Sequence, residues 1–233
     1  IQDDEEEEDE IDLSNVSALV EKGGLYLERI RTGEHLYRRS SRDFRILPED
    51  AIAFWASDKL RAVFAKANPL GQLASPRQGL ATADNDRFTR LWSEVSFDHI
   101  GRSFSGRSEA KKSGLRWFPY NKGGEYRKWY GNQTHLVDWK NDGEKIFSFK
   151  NAVVRNPDTY FLASLSWSKV TSAGFSLRYF PPGFVYDVAG CSIFVSDDPV
   201  LQKGLIALIN SKIMNGSIKR LSPTINLEVG QVS

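Results

Sequence analysis

Basic and aromatic side chains are interleaved between Gly101 and Gly131, a mixture suited to a nucleic-acid partner. Eight cations (Arg102, Arg107, Lys111, Lys112, Arg116, Lys122, Arg127 and Lys128) stand there against two acids, Glu109 and Glu125. Trp117, Phe118, Tyr120, Tyr126, Trp129 and Tyr130 lie among them. Lysine and arginine neutralise phosphates, and arginine also pairs bidentately with guanine. Asparagine and glutamine match the adenine edge, so Asn121, Asn132 and Gln133 join Arg127 and Lys128 as candidates for base contact. Arg102, Arg107, Lys111, Lys112 and Lys122 are the candidates for phosphate contact. The plain alternative makes the aromatics core and the cations a solvated surface, and it is the reading taken for Trp117 and Phe118.

Other chemistries find little support. Asp98 lies eleven residues before Glu109-Ala110-Lys111, a nuclease-like D…ExK spacing. That chemistry needs the acid and lysine on adjacent core strands, and Glu109 sits in a polar stretch without a strand pattern. His35, His99 and His135 have no companions at metal-ligand spacing, so no metal site is read. The glycine pairs at 23–24 and 123–124 lack the Lys-Ser/Thr of a phosphate loop. Phe180-Pro181-Pro182-Gly183 lacks the polar residue and the aromatic that an adenine-holding loop requires, and reads as a turn between strands. No Gly-rich loop for S-adenosylmethionine stands out, so the chain is expected to hold no cofactor and to be non-catalytic.

The net charge of +1 hides an asymmetry. Nine of the 30 acids fall in residues 1–12, which contain no Lys or Arg, so residues 13–233 carry 31 cations against 21 acids, a net of +10. Cys191 is alone, which rules out an internal disulfide and agrees with a reducing cytoplasm. No apolar run approaches the roughly 20 residues of a membrane span, and no membrane partner is expected. The chain opens on Ile1 and its one methionine is Met214, so it reads as part of something longer.

The elements that must carry the central segment follow from periodicity. Residues 1–24 are read as an acidic disordered linker and 25–233 as the folded domain. Residues 25–47 look strand-prone and rich in arginine. A helix is predicted from Pro48, Glu49 and Asp50 to Pro69, with Trp55 and Phe64 on its core face. The centre, 75–145, is expected to be loop-dominated. Strands are predicted at Tyr160–Leu165, Phe175–Phe180, Phe184–Val188 and Ser192–Val195. A last helix should follow Asp198 as cap and Pro199, with Leu201, Leu205, Leu208, Ile209, Ile213 and Ile218 as its stripe. The class is α+β: one mostly antiparallel, twisted sheet with flanking helices.

Taken in order, AIAFWASDKLRAVF (51–64), RQGLATADNDRFTRLWSEV (77–95), WFPYNKGGEYRKWYGN (117–132), LSWSKVTSAGFSLRYFPPGFVYDVAGCSIF (165–194) and the close at 205–232 carry a resemblance. The chain resembles the region downstream of the catalytic domain in adenine-specific DNA methyltransferases of BREX phage-exclusion systems, with type IIG restriction-modification enzymes behind them. The resemblance implies a target recognition domain that reads double-stranded DNA in the major groove. The upstream domain of the same parent chain would flip and methylate the adenine with S-adenosylmethionine. Other defence-system subunits are further partners it implies. The family's Gly-x-x-Thr-Gly-x-Asn-x-x-Phe element corresponds to Gly79, Thr82, Ala83, Asn85 and Phe88. Because Ala83 replaces the second Gly, a left-handed backbone is not expected there, and the element is read as structural. The strand from Ser172 to Tyr179, with Arg178, resembles a scaffold element of the family.

Two other readings remain beside DNA recognition. One is a protein-interaction module in which the basic loop docks an acidic partner or a DNA mimic. The other is an enzyme in its own right, which needs a cofactor site that the sequence does not display.

Overall fold

The computed structural model describes residues 13–33, 39–45, 47, 52–54, 56–196, 198–221 and 227–232. Among the described residues, eight short strands build two four-stranded sheets where the sequence suggested one. The first has the order β1 (Ala74–Arg77), β8 (Ser192–Val195), β5 (Ser164–Ser166), β6 (Arg178–Phe180) and is antiparallel throughout. Pro76 is tolerated in β1 because that strand is an edge. The second has the order β2 (Thr89–Leu91), β4 (His135–Asp138), β3 (Trp117–Asn121), β7 (Val185–Tyr186), with β3 and β7 parallel. Pro119 fits the inner strand β3 because β7 pairs only with Tyr120 and Asn121. The α+β class and the mostly antiparallel pairing are as expected.

Each sheet has its own core. Phe118, Tyr120, Val137 and Val185 of the second pack with Trp139, Ile146 and Phe161, all nearly inaccessible. Edge-to-face pairs such as Phe118 with Phe161, centroids 5.5 Å apart, give that core specific geometry. Leu165, Trp167, Leu177 and Ile193 centre the other core, against helices at the chain's C-terminal side. Trp167 is fully buried and its Nε1 donates to the Leu227 carbonyl at 2.9 Å; a side chain so placed contributes about 1.5–3 kcal/mol.

The helices correct several expectations. α1 spans Leu13–Thr32, across the boundary expected at 24, where a linker and then a strand were read. Leu, Glu and Arg in 25–32 favour helix, and Arg29 and Arg31 suit its last turn. Residues 1–12, holding the acidic run, lie outside the described residues. α2, Asp58–Lys66, begins at a cap in which the Ser57 hydroxyl accepts from Leu60 N–H at 3.2 Å. Pro48, Glu49, Asp50 and Trp55 lie outside the described residues; Phe64 packs half-buried against Leu47, Ala53 and Ala56. The centre contains α3 (Asn85–Phe88), α4 (Arg107–Lys112) and α5 (Lys140–Phe147) besides β2, β3, β4 and most of β1, because contacts distant in sequence order it. α6, Pro199–Ile209, has the expected Asp198 cap, its carboxylate accepting from Val200 N–H at 2.8 Å. It stops at Asn210, and α7 (Lys212–Leu221) follows, so Leu208 and Ile213 of the expected stripe are exposed. α8 is Val229–Val232.

Candidate nucleic-acid interface

Lys122–Gln133 forms the connection between β3 and β4, and long-range bonds hold it. Gly123 is left-handed, and a Cβ there would stand 2.5 Å from the Ala189 carbonyl oxygen, so only glycine fits. The Gly124 carbonyl accepts from the Ser168 hydroxyl at 2.7 Å. Trp129 N–H donates to the Leu177 carbonyl and the Trp129 carbonyl accepts from Tyr179 N–H, each at 2.9 Å, which lays the loop along β6. Asn132 Nδ2 donates to the Glu125 carbonyl at 2.8 Å, closing the tip. Tyr126, Trp129 and Tyr130 then project into solvent at 41%, 52% and 66% exposure, with Arg127 exposed between them. Trp129 is itself left-handed (φ 72°), which costs a bulky residue about 1–2 kcal/mol.

Arg178 lies fully buried beneath this loop. Its Nη2 donates to Ser168 Oγ at 3.0 Å and its Nη1 reaches the Arg127 carbonyl at 3.5 Å, while Nε has no partner. Burial pushes the guanidinium down to about 10, which still leaves it charged at neutral pH.

The sequence candidates divide into spent and free groups. Asn121 is 1% exposed: its Nδ2 donates to Ser166 Oγ (2.7 Å) and the Gly190 carbonyl (3.1 Å), and its Oδ1 accepts from Gly123 N–H. It is a strut between the two sheets, with no edge turned to a base. Lys128 Nζ donates to the Asn210 carbonyl at 2.6 Å, at the C-terminus of α6. Lys122 Nζ donates to Asn85 Oδ1 at 2.6 Å and stands 3.7 Å from Asp187. Arg107 forms a two-point pair with Asp142, Nε to Oδ1 at 2.8 Å and Nη2 to Oδ2 at 2.6 Å, which raises its pKa further. Arg102 is exposed and stacks over the Phe97 ring at 3.3 Å. Lys111 and Lys112 are exposed on the last turn of α4. Arg127 stands 3.9 Å from the Glu125 carboxylate. Asn132 and Gln133 are half-buried, Gln133 reaching the Tyr179 carbonyl at 3.4 Å.

The Gly79–Phe88 element holds Lys122 in place. Leu80 N–H donates to the Tyr186 carbonyl at 2.8 Å, and a Cβ on Gly79 would meet that same oxygen. Thr82 Oγ1 donates to Asn85 Oδ1 at 3.0 Å, the atom that also takes Lys122. Phe88 is buried edge-to-face on Phe149. Contrary to expectation, Ala83 is left-handed (φ 61°): the bonds on either side impose a backbone that alanine only tolerates. The Glu109-Ala110-Lys111 triplet lies on α4, where the Glu109 carboxylate accepts from Ser105 N–H and Oγ, which lowers its pKa. It therefore lacks the paired core strands of a nuclease centre. Phe180–Gly183 is the β6–β7 turn, with left-handed Gly183 against Ser103 N. Among the described residues no three His, Cys, Asp or Glu side chains are grouped to hold a metal, and no helix is long and apolar enough to cross a membrane.

Neither the exposure of Trp129 nor the burial of Arg178 was legible in the sequence, since Lys128-Trp129-Tyr130 and Arg116-Trp117-Phe118 have the same local chemistry. No protein-family model matches the chain. Over 206 residues it is 38% identical to the adenine-specific methyltransferase PglX of Lacticaseibacillus casei (strain Zhang), covering 85% of this chain and 17% of that protein. Over 195 residues it is 37% identical to the adenine-specific methyltransferase BrxX of Escherichia coli O9:H4 (strain HS), covering 82% of this chain and 15% of that protein. The chain thus spans about a sixth of the length of these relatives.

Proposed function

From a chain that is related to the adenine-specific methyltransferases of BREX systems, we propose a non-catalytic module that recognises a specific double-stranded DNA sequence. The observation that carries this reading is the Lys122–Gln133 loop, anchored at both ends and along its back, which leaves Arg127, Tyr126, Trp129 and Tyr130 exposed together. A fixed loop loses little entropy on binding, so its cation meets the base edge pre-placed. Arg127 is the principal base contact, with Asn132 and Gln133 beside it. Arg102, Lys111 and Lys112 supply phosphate contacts, helped by the net +10 of residues 13–233. Asn121, Lys122, Lys128 and Arg107 act one step back, by holding the surface in shape.

In the parent protein the adenine would be flipped and N6-methylated by a domain outside this region, which would also hold S-adenosylmethionine. Gly123 and Gly183 leave no room for that cofactor: Gly123 faces Ala189 and Gly183 faces Ser103, each filled by protein backbone. We place the parent in the bacterial cytoplasm as part of a phage-defence system, with its own catalytic domain and other defence subunits as partners. Titrating a duplex library with the 233-residue chain at about 50 and about 200 mM salt tests the reading, and the affinity is expected to fall about 10- to 100-fold. Salt-independent binding, or none at the lower salt, would overturn it.

A further inference from the structure

We propose that Trp129 is a base-stacking residue, whose indole covers the face of a nucleobase at a duplex step where stacking has been opened. The proposal rests on the DNA-recognition reading above and adds a mode of contact to it. Three observations meet at this residue. First, Trp117, Trp139 and Trp167 are buried at 8% exposure or less, whereas Trp129 stands half in water. Second, its backbone is left-handed, and both its N–H and its carbonyl are bonded to the chain around β6, so the surrounding structure imposes the conformation. Trp92 is exposed as well, but its backbone carries no such conformation. A strained backbone under an unburied indole forgoes stability twice at one position, a pattern that marks contact sites.

Third, the neighbours suit a base. Tyr126 and Tyr130 offer further exposed rings, and Arg127 is an exposed cation beside them in sequence, able to reach a base edge. A protein partner would also favour Trp and Tyr, but the net +10 of residues 13–233 favours a polyanion. Stacking tolerates any base, so Trp129 would sense the opened step while Arg127 reads its edge.

The test compares two duplexes, one fully paired and one with a single 2-aminopurine opposite an abasic site, bound by wild type, W129A and W129F at low salt. Wild type is expected to prefer the opened duplex by about 5- to 100-fold and to quench the 2-aminopurine. W129A should lose both effects yet keep salt-sensitive binding to the paired duplex, and W129F should retain part of the preference. Wild type binding both duplexes equally, without quenching, overturns the role of Trp129 and leaves DNA recognition standing. So does a preference that survives W129A. Wild type binding neither duplex overturns both.

Discussion

Asn210 and Leu177 exchange two hydrogen bonds: Leu177 N–H donates to Asn210 Oδ1 and Asn210 Nδ2 donates to the Leu177 carbonyl, each at 2.9 Å. The same Leu177 carbonyl accepts from Trp129 N–H, and the Asn210 carbonyl accepts from Lys128. One buried amide at the end of α6 thus aligns the strand and the loop that the proposed interface uses. Asn210→Ala leaves the Leu177 N–H without a partner and is expected to cost about 2 kcal/mol, read as a lower urea midpoint at unchanged slope. Asn210→Asp should cost more at neutral pH, because a carboxylate oxygen then faces the Leu177 carbonyl. Equal stability of Asn210→Asp and wild type would refute the two-bond arrangement.

Ala83 is left-handed where glycine is at ease. Ala83→Gly relieves the strain and returns some chain entropy to the unfolded state, so a net gain of about 0.5–1 kcal/mol is expected. A thermal melt of the single variant checks it; a loss would mean that the alanine methyl contributes more than the backbone costs.

Alkaline pH should weaken the fold through buried acids. Burial pushes the Cys191 thiol up to about 12 from an ordinary value near 9, and Tyr186 up to about 12 from 10. The unfolded chain ionises these groups first, so their contribution is whole below pH 9 and is lost as pH climbs towards 12. Arg178, held near 10, acts in the opposite sense at higher pH, so the window to read is pH 9 to 10. Urea midpoints are expected to decline across it, and less steeply in Cys191→Ala. An unchanged decline in that variant would remove Cys191 from the account.

The exposed and the spent cations should separate in DNA titrations. Lys111→Gln and Lys112→Gln are each expected to lower the salt slope by about 1 with no change in stability. Arg107→Gln strips Asp142 of its two-point partner, so its main effect should be on the melt. If Arg107→Gln changed only the salt slope, Arg107 would be a DNA contact rather than a support.

The sequence alone determined whatever depends on neighbours along the chain. The Asp198–Pro199 start of α6 was legible because a cap and its first turn are local. The β8 strand at Ser192–Val195 was legible because turn residues bound a short apolar run, and the basic character of residues 13–233 is a matter of counting. Tertiary structure alone decided which candidates face outward. Asn121 and Asn132 are the same residue type, yet one braces two sheets and the other closes a loop tip. Arg107 and Arg127 are the same residue type, but only Arg107 of the two meets a carboxylate at two points, brought to it from α5. Trp117 and Trp129 sit in matching local sequences; pairing within the second sheet buries one, and attachment along β6 leaves the other in solvent. A side chain's chemistry belongs to its residue type, but whether that chemistry is spent or free depends on partners that only the folded chain brings within reach.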